Sequence, residues 1–205
     1  VTMPPTASGG LVLLQTLNIL ENFNLKELGH NSANAVHILS ESMKRAFADR
    51  TRYHGDPDYF LVPINQLISK DYSMKRSLTI NLKKVTPSGE IFPGDFLVMD
   101  ESPDTTHFSV IDSDGNAVSN TYTLGSSFGS GVTVPGTGFL LNNQMRNFSH
   151  LYGKSTEVSL STSEANRLQP GKRMISTQTP TMVFTPKGDL FMVLGSPGGG
   201  RIPNI

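Results

Sequence analysis

Several features that many proteins use are missing from this chain of 205 residues. It contains no cysteine, which excludes disulfides, thiolate metal ligands and a cysteine nucleophile, although cysteine-free chains occur in every compartment. It carries no net charge, because 17 basic residues balance 17 acidic residues. This balance gives no electrostatic reason to propose nucleic acid or an anionic membrane as a partner, whereas a small neutral or zwitterionic substrate is compatible with it.

Long apolar runs and metal-binding patterns are missing as well. No apolar run approaches the roughly 20 residues that cross a bilayer, and residues 1–5 lack the basic and apolar regions of a signal peptide. The five histidines are dispersed without a metal-site spacing such as H-E-x-x-H. We therefore predict no membrane partner, no metal and no cofactor.

The first half of the chain is predicted to be mainly helical, because apolar side chains recur at helical spacing in two stretches. The first stripe is Leu13, Leu14, Leu17 and Leu20, and the second is Val36, Leu39, Met43 and Phe47. Asn31 or Ser32 is placed to cap the second helix. The opposite face of that helix is charged, which is typical of a solvated surface with local ion pairs. Its charged residues are Lys44, Arg45, Asp49 and Arg50.

The segments that follow alternate short structure with loops. Residues 55–58 predict a turn, and Pro63 predicts the start of a short helix. Residues 70–84, with five basic side chains, predict a mobile surface segment in preference to a basic groove. Proline, glycine and acidic residues are frequent in residues 87–104, which predicts an extended, accessible connector.

Residues 105–123 predict a β-hairpin, because they are rich in β-branched side chains, alternate with the period of a two-faced strand and contain an Asp-Gly turn. The turn fits either a two-residue connection or a three-residue loop with Gly115 in the left-handed conformation. The three-residue loop would place Thr105 opposite Thr123, with both hydroxyls on one face. The two-residue turn would place Thr123 on the other face.

Two more stretches of the second half have a predicted local structure. A second hairpin is predicted over residues 182–194, and its strands are apolar enough to be central in a sheet. The glycine- and serine-rich residues 124–131 lack the G-x-x-x-x-G-K-[ST] order of a phosphate-binding loop, so a flexible binding loop is predicted there.

Four motifs in the second half resemble, in the same order, motifs of the γ-glutamyltransferase family of N-terminal nucleophile hydrolases. They are Thr-Thr-His-Phe-Ser at 105–109, Gly-Phe-Leu-Leu-Asn-Asn-Gln-Met at 138–145, Lys-Arg-Met-Ile-Ser-Thr at 172–177 and Gly-Ser-Pro-Gly-Gly-Gly-Arg-Ile at 195–202. Met-Pro-Pro-Thr-Ala-Ser-Gly-Gly at 3–10 resembles a stretch of the family's large subunit. The resemblance implies a fragment in which residues 1–104, mainly helical, end the large subunit and residues 105–205, mainly β, begin the small subunit.

The resemblance also implies the fold and a processing step. The fold would be α+β, an αββα four-layer sandwich that is incomplete in this chain, with the Thr105 strand at its centre. The chain would cut itself between Asp104 and Thr105, and the two products would pair as a heterodimer. In this chemistry the Thr105 hydroxyl attacks the preceding carbonyl, and water then releases an N-terminal amine that acts as general base. Without the other motifs, adjacent threonines would be ordinary strand residues.

Particular residues receive roles from the same resemblance. Thr105 is implied as the nucleophile. The register of the three-residue loop, rather than the resemblance, predicts that the hydroxyl of Thr123 orients it. The backbone N–H groups of Gly198 and Gly199 are implied as the oxyanion hole, the alternative being a plain turn. His107 is expected to pack or to position its neighbours rather than to act as base. The residues implied to bind substrate are Gln144, Ser176 and Thr177, the last two of which would otherwise be a Ser-Thr turn.

Two positions depart from the family's pattern. Gly125 stands where many members have an asparagine that helps to bind the substrate carboxylate, and Asn147 stands where transferases have an aspartate that binds the α-amine. Losing that charge-assisted hydrogen bond would cost on the order of 1.5 to 3 kcal/mol. The departures predict weaker binding of free γ-glutamyl amino acids.

The predicted function is hydrolysis or transfer of a γ-glutamyl-like acyl group from a small amide substrate, through an ester on Thr105. One alternative is an amidase or acylase for substrates without a free α-amine, and another is an inactive, unprocessed fragment. The resemblance implies a periplasmic or secreted location, while the residues themselves leave the compartment open, the cytoplasm included.

Overall fold

The computed structural model describes residues 1–91, 105–149 and 163–205. The first range contains the helices α1 (Gly9–Leu20), α2 (Leu25–Leu28), α3 (Ala33–Tyr53), α4 (Ile64–Leu67) and α5 (Lys70–Ser77). The other two contain the strands β1 (Thr106–Ile111), β2 (Ala117–Tyr122), β3 (Thr181–Phe184) and β4 (Leu190–Leu194). The predicted mixture of helix and sheet is therefore confirmed. Asp104, His150 and most of the predicted connector lie outside the described residues.

The buried face of α1 differs from the predicted one. Leu14 and Leu17 are 38% and 47% exposed, so the apolar stripe was wrong at these positions. The helix instead buries the polar side chain of Gln15, whose amide Nε2 donates a hydrogen bond to the Asp49 carboxylate on α3. A satisfied polar group can therefore occupy the interface between α1 and α3. The buried face of α1 is Leu11, Val12, Gln15, Thr16 and Ile19.

The charged face of α3 is also buried, so the predicted solvated surface was wrong. Arg45, Asp49 and Arg50 are each at most 1% exposed. By contrast, Val36 and Leu39 from the predicted apolar stripe are 50% and 37% exposed. The helix is therefore turned so that its charges face the rest of the molecule.

Each of these buried charges has a partner that compensates for its removal from water. The contacts are Arg45 with Glu41 and Thr79, Asp49 with Gln15 and Arg76, and Arg50 with Ser8. Burial raises the pKa of Glu41, but hydrogen bonds from Lys44 and Arg45 outweigh it and lower the value to about 2. The buried face of α3 is thus a network of ion pairs and hydrogen bonds to distant segments.

The short elements after α3 follow the prediction except at α5. The backbone N–H of Tyr59 bonds to the carbonyl of Asp56 at 3.0 Å, which closes the predicted turn. Helix α4 begins after its predicted first residue, Pro63. Residues 70–77, predicted to be mobile, form α5, which is capped by the hydroxyl of Ser69. These elements pack against α1 around Leu11, Val62 and Leu67.

The first hairpin has the register of the three-residue loop. β1 and β2 pair antiparallel, beginning with Thr106 opposite Tyr122. Gly115 has a φ of +83°, the left-handed conformation that the loop requires. The register of the three-residue loop and the left-handed conformation of Gly115 are therefore both confirmed. One residue beyond the strands, the same register brings Thr105 level with Thr123.

The second predicted hairpin is formed by β3 and β4. It contacts the first hairpin, because the hydroxyls of Ser109 and Ser119 donate to carbonyl oxygens of β4 at 3.5 and 3.0 Å. Within the described residues, β3 and β4 pair with each other and, at one bridge, with Thr2. Phe191 is 68% exposed. The central position predicted for this hairpin is therefore not found in this part of the chain.

Contacts between residues 1–91 and 163–205 connect the helical part to the second hairpin. The buried carboxylate of Asp56 accepts hydrogen bonds from the backbone N–H of Arg173 at 2.8 Å and from its guanidinium at 2.5 and 2.9 Å. Further contacts join Val1 with Met182, Ala7 with Ser176 and Tyr59 with Pro170. The segments before and after the predicted cleavage bond therefore interlock.

Candidate functional site

A pocket beside the N-terminal end of β1 gathers residues from several distant segments. Its described lining is Thr105, Thr123, Gly125, Gln144, Arg146, Asn147, Ser176, Thr177, Gln178, Gly199 and Ile202. The site residues predicted from sequence all line it except Gly198, which is adjacent to the lining residue Gly199, and Asp104, which is outside the described residues. One concave surface thus contains hydroxyl, amide and backbone groups from motifs up to 94 residues apart in the sequence.

Thr123 directly follows β2 and connects two sides of the pocket. Its hydroxyl oxygen accepts a hydrogen bond from the backbone N–H of Gly125 at 2.9 Å. Its carbonyl oxygen accepts one from the side-chain amide of Gln144 at 2.7 Å. Gln144 is therefore held against the backbone that follows β2, and the register places the side chain of Thr123 on the same face as that of Thr105.

Gly125 leaves space that a neighbouring amide fills. Its φ is +97°, and a Cβ added there would lie 2.1 Å from the side-chain oxygen of Asn143. That oxygen accepts from the backbone N–H of Ser126 at 3.0 Å, while the amide nitrogen of Asn143 donates to the Ser126 hydroxyl at 3.0 Å. An asparagine at position 125 would require the side chain of Asn143 to move. The observed position of Asn143 therefore depends on glycine at position 125.

Asn147 is tied to the strand-like segment that carries Ser176. Its side-chain nitrogen donates to the carbonyl of Ile175 at 3.3 Å. Its own carbonyl accepts from the side chain of Asn166 at 2.6 Å, and the side-chain oxygen of Asn166 accepts from the N–H of Ile175 at 3.1 Å. Asn166 is fully buried and was not identified from sequence, because no motif contains it.

The Ser176 segment is also held by the start of α1. The backbone N–H and the hydroxyl of Ser8 both donate to the carbonyl of Ser176, at 2.6 and 2.7 Å. The buried guanidinium of Arg50 donates to the Ser8 hydroxyl at 2.8 Å. A Cβ on Gly9 would lie 2.6 Å from the carbonyl oxygen of Thr177, so the helix approaches this segment as closely as a glycine allows.

The glycine-rich run at residues 195–200 follows β4 and leads into a short 3-10 helix, Gly199–Asn204. Gly198 and Gly199 have φ of +141° and +56°, conformations that side-chain-bearing residues rarely adopt. His107 packs on the beginning of this run, since a Cβ on Gly195 would lie 2.3 Å from the imidazole. Its ring nitrogens bond to the hydroxyls of Thr121 and Ser109, at 2.8 and 3.1 Å. His107 thus has packing contacts and is absent from the pocket lining described above.

Arg146 is the pocket residue with the most distinct chemistry, and sequence reasoning did not identify it. Among the lining residues that the structure describes, it is the single charged side chain. It lies in the 3-10 helix Gln144–Asn147, and its Nη1 donates to the Ser126 hydroxyl at 3.1 Å. The sequence feature that could have drawn attention to Arg146 is its position directly before Asn147, one of the two residues that depart from the family's pattern.

Neither a metal centre nor a membrane helix is found in the parts of the chain that the structure describes. In residues 1–91, 105–149 and 163–205, no group of three His, Asp or Glu side chains is placed to hold a metal ion. Over the same ranges, no helix combines the length and apolar character needed to cross a bilayer.

Known proteins resemble this chain along nearly its whole length. Residues 1–205 match the family model described as gamma-glutamyltranspeptidase. The chain is 47% identical over 201 residues to the glutathione hydrolase proenzyme of Escherichia coli, covering 98% of this chain and 34% of that protein. It is 38% identical over 199 residues to the acylase ACY 1 proenzyme of Pseudomonas sp. (strain SE83), covering 97% and 33%.

A solved structure gives the same picture for the fold. The crystal structure of cephalosporin acylase from Bacillus halodurans matches with a TM-score of 0.75 at 28% identity, covering 98% of this chain and 33% of that one. The chain therefore spans about a third of the length of the relatives that it matches.

Proposed function

This chain belongs to the γ-glutamyltranspeptidase family, and on that premise we propose that it contributes the nucleophile and part of the acyl pocket of an N-terminal threonine amidohydrolase or acyltransferase. The observation that carries the proposal is the pocket at Thr105. Residues 105, 123, 144 and 176 come from four separate segments, and the fold brings them to one lining. An ordinary strand threonine would not need such a set of neighbours.

The first step is release of the nucleophile. The Thr105 Oγ1 attacks the carbonyl carbon of Asp104, and the amide bond becomes an ester. Water then hydrolyses the ester, which leaves a carboxylate on Asp104 and a free α-amine on Thr105. That amine has a reference pKa near 7.7 to 8.0, which suits a general base at neutral pH.

Turnover repeats the same chemistry on a substrate amide. The Thr105 amine accepts the hydroxyl proton as Oγ1 attacks the acyl carbon, and the proton passes to the departing amine. The backbone N–H groups of Gly198 and Gly199 stabilise the oxyanion, while Gln144, Ser176 and Thr177 bind the acyl group. Water or an acceptor amine then takes the acyl group from the ester.

The proposal extends to the complete fold and assembly. Residues 1–104 form the end of one subunit and residues 105–205 the beginning of the other, within an αββα four-layer sandwich centred on the Thr105 strand. The products stay together as a heterodimer, supported by contacts such as that between Asp56 and Arg173. The substrate is a small acyl amide, without a nucleic-acid or membrane partner.

Thr123 provides a direct test of how the nucleophile is oriented. We expect Thr123→Val to slow both self-cleavage and turnover about tenfold, because the variant loses the hydroxyl on the face of Thr105, which also accepts the hydrogen bond from the Gly125 N–H. The measurement is the rate of product appearance by intact mass, together with kcat for an acyl anilide.

The control for this variant is Thr137→Val, which makes the same chemical change in an exposed loop outside the pocket. It should alter both rates less than twofold or so. Equal rates for wild type and Thr123→Val, with unfolding temperatures unchanged, would remove Thr123 from the mechanism.

A second function, acylase activity on donors without a free α-amine, is favoured by Asn147 and Gly125. An amide at position 147 supplies no negative charge to an ammonium group, and the space at 125 is occupied by the Asn143 side chain. Desolvating an ammonium without a partner is unfavourable. Relatives and structural neighbours named as acylases support this candidate.

The experiment compares kcat/KM for γ-glutamyl and glutaryl anilides, in the complete protein as its gene encodes it. Wild type should prefer the glutaryl donor, and Asn147→Asp should shift the preference towards the γ-glutamyl donor by roughly tenfold, equivalent to about 1.4 kcal/mol. The physical reason is a restored counter-charge for the amine.

Asn34→Asp, an exposed change at the start of α3, is the matched control for added charge and should leave the preference as it is. A strong wild-type preference for the γ-glutamyl donor that Asn147→Asp does not alter would contradict the acylase candidate. Complete absence of both cleavage and turnover would favour an inactive, unprocessed protein.

A further inference from the structure

We propose that Ser8 is a positioning residue for the acyl pocket, which it shapes through Ser176 from the other side of the predicted cleavage bond. The inference rests on the proposed function, in which Ser176 binds the acyl group, and it adds a residue from the first half of the chain to that site. Ser8 is 1% exposed and is not among the described residues that line the pocket. Its effect on a substrate is therefore indirect.

The hydroxyl of Ser8 bonds to Ser176 instead of to its own helix. Ser8 is the N-cap residue of α1, where a serine hydroxyl usually accepts from a helix N–H. Ser32 and Ser69 form such bonds at α3 and α5. Within residues 1–91, the Ser8 side chain makes no capping bond to α1. Its Oγ donates to the Ser176 carbonyl at 2.7 Å, so a local cap is replaced by a contact with a segment 168 residues away.

Arg50 sets the direction of this hydroxyl. Its buried guanidinium donates from Nε to the Ser8 Oγ at 2.8 Å. Because the Oγ accepts from Arg50, its own proton points away from that donor and towards the Ser176 carbonyl. Accepting from a charged donor also makes the hydroxyl a stronger donor in turn. The backbone N–H of Ser8 reaches the same carbonyl at 2.6 Å, so two donors occupy the two lone pairs of this oxygen.

The backbone of residues 175–176 is held at all four of its polar groups. Each N–H donates to another segment of the chain, and each carbonyl accepts from one. Because the backbone fixes the direction of the Cβ, these contacts set where the Ser176 side chain lies in the pocket. Among the partners, Ser8 precedes the predicted cleavage bond and contributes a side chain. The partners are Asn166 and Asn147 for Ile175, and Thr6 and Ser8 for Ser176.

The expected kinetic effect follows from the role of Ser176. In the proposed function Ser176 binds the acyl group and takes no part in the bond changes at Thr105, so its displacement weakens binding of the ground state and the transition state alike. Ser8→Ala should therefore raise KM for glutaryl 4-nitroanilide about fivefold and change kcat less than about twofold. Self-cleavage should stay within about twofold of wild type, because it uses no separate acyl donor.

Two further variants make the result specific. Ser32→Ala removes the hydroxyl that accepts from the Ala35 N–H at 3.1 Å, outside the pocket lining. It should lower the unfolding temperature by loss of a helix cap and leave KM as it is. Ser8→Cys is similar in size but donates weakly, so its KM should lie between those of wild type and Ser8→Ala. It also keeps the test usable if Ser8→Ala does not fold.

Hydrogen exchange of the complete protein measures the positioning without a substrate. Peptides that cover residues 174–178 should exchange faster in Ser8→Ala than in wild type or in Ser32→Ala. Unchanged exchange in these peptides would overturn the inference. So would an unchanged KM in a folded Ser8→Ala protein, because Ser8 would then only stabilise the fold. Either result leaves the proposed function standing.

A titration separates the inference from the acyl chemistry. If the wild-type protein neither cleaves itself nor turns over glutaryl 4-nitroanilide, the chemistry fails, and the same compound can be titrated by calorimetry without being consumed. A dissociation constant that is about fivefold higher for Ser8→Ala would then support the positioning role. An equal dissociation constant for the two proteins, or no binding to wild type, would overturn it.

Discussion

Replacing Thr105 by alanine is expected to abolish cleavage at the Asp104–Thr105 bond and to lower acyl turnover at least about a thousandfold. Alanine has no oxygen that could attack the preceding carbonyl, so no ester forms and no N-terminal amine is released. The same missing oxygen removes the acyl-enzyme step. Intact mass after storage of the complete protein measures the first effect, and anilide hydrolysis measures the second.

Thr106→Ala is the matched control, because the neighbouring threonine lies in β1 with its side chain exposed and outside the pocket lining. It should cleave at close to the wild-type rate, and Thr105→Ser should cleave slowly but measurably because it keeps a hydroxyl. If the complete wild-type protein remains a single chain, or if Thr105→Ala is cut at the same bond, Thr105 is not the nucleophile.

Local chemistry explains why the first hairpin could be predicted in detail. The alternating pattern predicted the two strands. The Asp-Gly turn allowed two registers, which place the Thr123 side chain on opposite faces of the hairpin. The left-handed conformation of Gly115 is a property of one residue and its neighbours, and it selects the observed pairing. Predictions of this kind succeed because the information lies within about twenty residues of sequence.

The faces of α1 and α3 could not be predicted in the same way. Charge normally indicates a solvated face, yet Arg45 and Arg50 are buried because Thr79 and Ser8 provide acceptors from distant segments. Helical periodicity contains no information about such partners. The exposed position of Leu17 follows, because the opposite face of α1 is the one that packs.

The residues of the pocket also divide into those that the sequence could predict and those that it could not. Residues from the family motifs, among them Thr105, Gln144 and Ser176, line one pocket in the structure, and the roles that the resemblance implies for them stay predictions. Arg146 and Asn166 were not identified, since their contacts with Ser126 and Asn147, 20 and 19 positions away, are made only in the folded chain. The departure at Gly125 was recognised, but the occupation of its space by Asn143 was not.

Asp56→Asn is expected to cause the largest loss of stability, about 2 kcal/mol in the free energy of unfolding. The Asp56 carboxylate is fully buried and accepts three hydrogen bonds from Arg173, through the backbone N–H, Nε and Nη2. An amide replaces one accepting oxygen by an NH2 group that faces these donors. The expected loss is no larger because the Arg173 side chain is 54% exposed, so solvent partly screens the pair. Chemical denaturation at neutral pH measures the effect.

The pH dependence gives the prediction a second readout. Hydrogen bonds from Arg173 hold the pKa of Asp56 well below its usual range. Because the folded pKa is lowered, the stabilisation is complete above the unfolded pKa of about 3.9 and declines as pH falls towards the folded value. The stability difference between wild type and Asp56→Asn should therefore be constant from about pH 5 to 7 and shrink below about pH 4.

Asp58 supplies a matched control on the same arginine. Its carboxylate accepts from Arg173 Nη2 at 2.6 Å but is 73% exposed, so solvent already screens the pair. Asp58→Asn should change stability much less than Asp56→Asn. In a cleaved protein, Asp56 and Arg173 would lie on different subunits, so Asp56→Asn should also promote dissociation of the two products on size-exclusion chromatography. Equal stabilities for the two variants would show that the buried contact does not hold the parts together.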